Sequence, residues 1–173
     1  MKIRKALEKD VTGIAHVHIN SWQSTYAGIL PHHYLASLNI ENRKKNWQRN
    51  LNMLHNSTFV AENSHGEIIG FASGGPEQTK DPHIQGEVYA IYFLKAYQRQ
   101  GLGRQMIKAV IDELMKMGHK NLIIRALKDN PSCGFYEALG GQVVAEKSVK
   151  MAGSELIEVG YGWNDIKDIL IHL

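Results

Sequence analysis

Residues 87–104 read EVYAIYFLKAYQRQGLGR, an apolar run that ends in a turn with two glycines. The run Glu87–Leu94 predicts a strand buried on both faces, because its centre is continuously apolar. Beyond the turn, apolar residues recur almost every fourth position from Leu102 to Met117, and Gly118 follows. That spacing predicts an amphipathic helix that ends at the glycine.

The turn Gly101-Leu102-Gly103 lies between this strand and this helix. A helix that begins there leaves several backbone N–H groups unpaired at the positive end of its dipole. Arg99 and Arg104 flank the turn, where they would neutralise phosphate oxygens. The stretch therefore predicts a phosphate or pyrophosphate site.

Two common nucleotide motifs do not fit this turn. A dinucleotide-binding motif requires a third glycine at the position of Met106. It also requires an acidic residue near the end of the next strand, where this sequence has Arg125. A phosphate-binding P-loop requires Gly-Lys-Ser/Thr, but the sequence has Gly103-Arg104-Gln105 at this position. A nicotinamide-dependent dehydrogenase is thus disfavoured.

Composition narrows the class of protein. The 173 residues, 43% of them hydrophobic, predict one well-cored domain. The net charge of +3 comes from dispersed basic residues, which predicts no nucleic-acid partner. Cys133 is the single cysteine and no histidine pair has helical i, i+4 spacing, so no metal is expected. No apolar run approaches the ~18 residues of a membrane span, and a cytoplasmic protein without membrane partners is expected.

The pattern along the chain predicts strand, two helices, three strands, helix, strand, short helix and two strands. Asp10 is the expected N-cap of the first helix. This order is typical of a mixed α/β domain built around one sheet.

At this point the residues resemble a known family, the GCN5-related N-acetyltransferases (GNAT). Its acetyl-CoA signature, Gln/Arg-x-x-Gly-x-Gly/Ala after a central strand, matches Gln98–Gly103. A second element, an asparagine followed by an aromatic-tyrosine pair and a glycine, matches Asn130 with Phe135, Tyr136 and Gly140. The opening is similar to one branch of the family through Trp22, Tyr26, Gly28, Leu30, Pro31 and Trp47.

The resemblance implies a single acetyltransferase domain over residues 1–173. Its sheet would be mixed, mostly antiparallel, of about seven strands, splayed between the fourth and fifth and flanked by about four helices. Helices within residues 10–54 would cover the acceptor side, and residues 86–141 would form the acetyl-CoA-binding core. The resemblance also leaves open whether the protein forms a homodimer, because late strands in the family often pair between subunits.

The resemblance also assigns the residues that would bind acetyl-CoA. The backbone N–H groups of the turn would hold the pyrophosphate: Gln98, Arg99, Gln100, Gly101, Leu102, Gly103 and Arg104. Main-chain groups of Ile91, Tyr92 and Phe93 would pair with the pantetheine like an added strand. Asn130 would form a hydrogen bond with the pantetheine arm, and Tyr136 would lie near the sulfur atom of CoA.

The implied activity is direct acetyl transfer to a primary amine, most simply that of a small molecule. Glu87 is the candidate base and Tyr136 the candidate general acid, although a solvated strand end and simple aromatic packing would also explain them. Trp22 and Tyr26 are the candidate acceptor-binding residues. A protein N-terminus or lysine as acceptor, and a non-catalytic CoA-binding module, are the alternatives. Polyamines, amino acids and aminated antibiotics all stay open as acceptors.

Overall fold

The computed structural model describes residues 1–173, and its centre is a seven-stranded sheet in the order β1-β2-β3-β4-β5-β7-β6. Every neighbouring pair is antiparallel except β4 and β5. The strands are β1 (Lys2–Lys5), β2 (Ser57–Glu62), β3 (Ile68–Pro76), β4 (Gly86–Phe93), β5 (Leu122–Leu127), β6 (Gln142–Met151) and β7 (Ser154–Trp163).

Five α-helices cover the two faces of the sheet, where about four were predicted. They are α1 (Val11–Thr25), α2 (His32–Ala36), α3 (Ile40–Leu51), α4 (Leu102–Lys116) and α5 (Cys133–Ala138). The apolar stripe of α4 packs on one face in the largest core cluster. Helices α1 and α3 pack on the other face around Phe71 and Trp47. The predicted mixed α/β single domain is confirmed.

The sheet opens between β4 and β5. Only three residue pairs join the two strands, ending with Val88 opposite Ile124. A bulge in β4 where it pairs with Ser73 and Gly74 of β3 changes the direction of the strand at this point. The predicted splay is thereby confirmed. Burial of β4 on both faces was also predicted, and it is wrong for Tyr89–Tyr92, which are only partly buried because they border the opening.

Asp10 does not cap α1 as predicted. Its buried carboxylate accepts two hydrogen bonds from Arg4, at 2.6 and 2.9 Å, and one from the Leu7 N–H at 2.8 Å. Arg4 also binds Glu62 of β2 at 2.6 Å. The aspartate therefore ties the start of the first helix to the edge strand β1 instead of closing the helix end.

None of the helices combines the length and the apolar character that a membrane crossing requires.

Replacement of Phe71 by alanine should strongly destabilise the fold. The ring is fully buried and its centroid lies 4.7 Å from that of Trp47 and 5.5 Å from that of His18. Removing a buried phenylalanine typically lowers the free energy of unfolding by about 3–5 kcal/mol. Urea unfolding measures this loss, and Leu54→Ala, at a side chain that is 82% exposed, should stay within about 0.5 kcal/mol of wild type. Equal losses in the two variants would contradict the assigned core.

Candidate active site

The glycine turn before α4 presents an uninterrupted row of backbone donors. Gly101 has φ = +78°, the left-handed conformation that glycine adopts without a steric cost, and Arg99 has φ = +57°. The six amides from Arg99 to Arg104 donate to no backbone or side-chain acceptor of the protein. They lie at the positive end of a 15-residue helix, so together they form a site for an anion.

A cleft of about 380 Å³ runs from this turn to the opening in the sheet. Its two walls are the turn and the start of α5, where the ring of Phe135 lies only 3.2 Å from the position that a Cβ on Gly103 would occupy. A larger residue at 103 would therefore push the walls apart. The lining residues include Ile91, Tyr92, Phe93, Gln98, Arg99, Gly101, Gly103, Arg104, Ser132 and Tyr136.

The side chain of Gln98 braces the turn instead of pointing to a ligand. Its Nε2 donates to the Phe93 carbonyl at 3.0 Å, and the Ser21 hydroxyl donates to the same oxygen at 3.2 Å. Gln100 likewise donates to the Ala96 carbonyl at 3.0 Å. The first glutamine of the signature thus fixes the end of β4 relative to the turn.

The main-chain N–H and C=O groups of successive residues at the end of β4 point alternately toward β3 and toward the opening. The Leu94 N–H bonds to Ile69 of β3, and Tyr92 lies opposite Phe71, so the main-chain groups of Tyr92 face β3. Those of Ile91 and Phe93 face the opening. Tyr92 therefore reaches the cleft with its side chain and not, as expected, with its main chain.

A second, inner cavity of about 30 Å³ lies between the diverging strands, and Tyr26, Tyr92, Arg125 and Tyr136 are among its lining residues. The Tyr26 hydroxyl links the two strands across it. That hydroxyl accepts from Asn130 Nδ2 at 3.2 Å and lies 3.2 Å from the Tyr92 hydroxyl. Tyr26, predicted at an acceptor mouth, is thus a buried bridge whose hydroxyl borders the cavity.

Asn130 is held by the protein through both ends of its side chain. Besides donating to Tyr26, it accepts from the Ser132 N–H at 2.8 Å. The second proton of its amide nitrogen and the second lone pair of its amide oxygen stay free for a ligand. Its main role in this geometry is to fix the turn between β5 and α5.

Tyr136 lines both the cleft and the inner cavity. Its hydroxyl makes no hydrogen bond to the protein, although the residue is buried. Burial raises the pKa of Tyr136 above its ordinary value, so the hydroxyl stays protonated at neutral pH. The geometry thus puts a free proton donor where the two cavities meet.

Glu87 lies next to an arginine that the sequence did not single out as a site residue. Its Oε2 accepts from the Gln78 N–H at 3.0 Å and lies 2.8 Å from Arg125 Nη1, although not along the hydrogen-bond direction of that nitrogen. Its Oε1 accepts no hydrogen bond from the protein. Arg125 Nη2 binds the buried Glu77 at 2.6 Å. Burial acts to lower the pKa of Arg125, but the two carboxylates outweigh it and the pKa is raised.

Trp22 lies near the end of α1, and its ring centroid is 5.1 Å from that of Tyr26. Its indole N–H is buried and has no partner in the protein. His18, one turn earlier, accepts a 3.1 Å hydrogen bond from Trp47 on Nδ1. Burial lowers the pKa of His18 to about 3, so the ring is neutral and unsuited to act as a base near pH 7.

The structure groups no three His, Cys, Asp or Glu side chains that could hold a metal ion. Cys133 is partly buried, with its sulfur 3.4 Å from the Leu127 carbonyl.

Comparison with known proteins settles the family. The model of the acetyltransferase (GNAT) family matches residues 19–141. The chain belongs to the GNAT family. It is therefore an acetyltransferase that uses acetyl-CoA, and the cleft with its row of free amides fits the long anionic donor of this family. An uncharacterised N-acetyltransferase of Bacillus subtilis, YuaI, is 39% identical over 165 residues, which cover 95% of this chain and 93% of that one.

Solved structures agree with the GNAT fold. The YncA protein of Salmonella typhimurium, determined with its cofactor acetyl-CoA, is 25% identical with a TM-score of 0.72, over 94% of this chain and 92% of that one. The PaiA N-acetyltransferase of Thermoplasma acidophilum, in complex with coenzyme A, is 20% identical with a TM-score of 0.69, over 91% and 96%. The second likeness shows the fold alone.

Replacement of Glu77 by glutamine should remove a pH-dependent part of the stability of this GNAT domain. Burial acts to raise the pKa of Glu77, but hydrogen bonds from Thr79, Asp81 and Arg125 lower it to about 2. The folded state thus binds a proton less readily than the unfolded state, whose glutamate titrates near 4.5. The carboxylate stabilises the fold fully above that pH, and this contribution falls as the pH drops toward 2.

Urea unfolding at several pH values measures the effect. The difference in unfolding free energy between wild type and Glu77→Gln should be largest at pH 7 and shrink below pH 4.5. Glu8→Gln, at an exposed side chain without contacts, should show no such trend. A difference for Glu77→Gln that stays constant with pH would contradict the assignment.

Proposed function

We propose that the enzyme transfers the acetyl group of acetyl-CoA directly to the primary amine of a small molecule. The observation that carries this proposal is the free Tyr136 hydroxyl at the junction of the outer cleft and the inner cavity. A donor in the cleft and an acceptor entering from the other side would meet there. No covalent enzyme intermediate is needed, and Cys133 takes no part.

The cleft suits the donor along its whole length. The amides from Arg99 to Arg104 would bind the pyrophosphate, with Gly101 setting the turn, and the Arg99 and Arg104 side chains are exposed beside them. Main-chain groups of Ile91 and Phe93 would pair with the pantetheine. The donor would then complete the hydrogen bonding of β4 in the place of a neighbouring strand.

Transfer requires a neutral amine, because only its lone pair forms the new bond to the carbonyl carbon. Alkyl amines titrate near ~10.4, so a base must take one proton at neutral pH. Glu87 Oε1, free of protein donors, would accept that proton directly or through a water molecule. As the C–N bond forms and the C–S bond breaks, the Tyr136 hydroxyl would give its proton to the departing thiolate. The proton that the nitrogen loses on becoming an amide would then return to the Tyr136 oxygen.

A small acceptor fits the acceptor side better than a protein chain. Tyr26, Leu30 and Leu35 pack there with Leu127, and residues of the β6–β7 hairpin close over them. This apolar cover leaves an inner cavity of only about 30 Å³ between the strands. A small amine would need to insert only its reactive end into this space, whereas an extended peptide would require the cover to move away.

Replacement of Gly101 by alanine should weaken CoA binding. Alanine pays roughly 1–2 kcal/mol in the left-handed conformation, so the turn would relax and its N–H groups would change direction. We expect the dissociation constant of CoA, measured by calorimetry, to rise roughly tenfold or more, as for the loss of a charge-assisted hydrogen bond. Gly118→Ala is the matched control, because Gly118 has φ = +90° in open space at the far end of α4. It should lose similar stability and keep CoA affinity; unchanged CoA binding in Gly101→Ala would contradict the site.

Replacement of Tyr136 by phenylalanine tests the activity itself. Loss of a general acid should lower kcat roughly 100-fold or more, while the dissociation constant of CoA changes little. Thiol release from acetyl-CoA with a panel of amines measures the rate. Tyr161→Phe removes a neighbouring hydroxyl that bonds Glu137 outside both cavities and should keep the wild-type rate. CoA binding without turnover of any amine would instead point to a non-catalytic CoA-binding module.

A further inference from the structure

Arg43 is an arginine without an acidic partner in the interior-facing part of α3. Its guanidinium carbon lies 5.3 Å from the centre of the Trp22 ring, over its face. The residue is partly buried, yet no carboxylate lies within ion-pair distance and none of its guanidinium N–H groups donates to the protein. The other arginines that are partly buried, Arg4 and Arg125, each bind two carboxylates.

An unpaired guanidinium in such a place carries an energetic cost. Burial lowers the pKa of Arg43, which means that its charge has lost solvent without gaining a counter-ion. The guanidinium lies over the face of the Trp22 ring, and its five N–H donors have no acceptor in the protein. Such an unpaired fork is suited to receive a planar anion through two parallel hydrogen bonds.

The position of Arg43 connects it to the acceptor side. The Trp22 ring that Arg43 covers lies 5.1 Å from the ring of Tyr26, which bonds to Tyr92. Burial raises the pKa of Tyr92, and the charge of Arg43 acts against that rise. Tyr92 in turn lines the inner cavity and lies against Tyr26. Arg125 lines the same cavity and binds Glu77 and Glu87. Two glutamates and one arginine leave this cluster with one net negative charge.

We propose that Arg43 binds a carboxylate of the acceptor, so that the acceptor amines are amino acids and not simple alkylamines or polyamines. The inference rests on the proposed function, because it names the acceptor of that same site. The ammonium group of an amino acid would face the negative cluster at Glu87, and its carboxylate would pair with Arg43. A polyamine would leave Arg43 unpaired and bring a second positive charge toward it.

The test compares acceptors that differ only at the carboxylate. Acetyl-CoA consumption is first measured with the twenty amino acids and with putrescine and spermidine. The best amino acid is then compared with its carboxamide and with its decarboxylated amine. The carboxamide has the more acidic ammonium group and hence the larger neutral fraction near pH 7.5. A preference for the acid therefore reflects binding of the carboxylate, and we expect kcat/KM to be at least 10-fold higher for it.

Three variants on α3 separate recognition of the acceptor from support of the structure. Arg43→Gln should raise KM for the amino acid roughly 10- to 100-fold, the range for a lost charge-assisted hydrogen bond, and leave KM for the carboxamide within about threefold. Arg43→Lys keeps the charge and should retain part of the preference for the acid. Arg49→Gln makes the same charge change at an exposed position of the helix and should behave like wild type.

The outcomes are distinct. Three outcomes would overturn the role of Arg43 and leave N-acetylation intact. They are equal use of the acid, the carboxamide and the decarboxylated amine, a preference for a polyamine, and an Arg43→Gln variant that keeps the preference for the acid. No turnover of any amine by an enzyme that binds CoA would overturn both the proposed function and this inference. A uniform loss of rate on all three matched acceptors in Arg43→Gln would show that Arg43 only supports Trp22, and would also overturn the inference.

Discussion

The parallel contact between β4 and β5 stops after three residue pairs, and the site depends on this early end. A sheet normally satisfies its main-chain groups through the neighbouring strand, and unpaired groups in an interior are costly. Here the groups of Ile91 and Phe93 face an opening, and the protein compensates only the Phe93 carbonyl, through Ser21 and Gln98. The remaining groups are available to a donor that lies along the strand. The same divergence creates the inner cavity and brings Tyr136 to its edge.

The opening is kept at a fixed width by contacts from both faces of the sheet. On one face, α4 packs its apolar stripe below the strands, and Gly103 lets it pass close to Phe135 of α5. On the other face, Tyr26 of the segment after α1 joins Tyr92 of β4 to Asn130 beyond β5. Arg125 adds a third link, because it binds Glu87 of β4 and Glu77 of the loop that precedes β4. These contacts link β4 to the region of β5 while the two strands stay separated along the cleft.

Local patterns predicted most of the fold, and the reasons are physical. The fourfold spacing of apolar residues in α4 and the glycine turn at 101–103 depend on neighbours along the chain, so they are visible in the sequence. The bidentate pairing of Arg4 with Asp10, the Arg125 cluster and the unpaired Arg43 depend on residues brought together by the sheet. A charged residue at position 125 in an otherwise apolar strand was a signal that could have been used. The motif assigned Asn130 and Gln98 to the site, and the three-dimensional contacts show that their side chains are largely engaged by the protein.

The small size of the inner cavity has a consequence for the chemical stability of the donor. A thioester is open to hydrolysis whenever water reaches its carbonyl carbon beside a base and an acid. The space between the strands, about 30 Å³, has room for only one or two water molecules, and the aromatic side chains of Tyr26, Tyr92 and Tyr136 surround it. A donor that extends into this space would displace the water that could attack it. A donor bound in this way would be protected from hydrolysis until an amine reaches its carbonyl carbon.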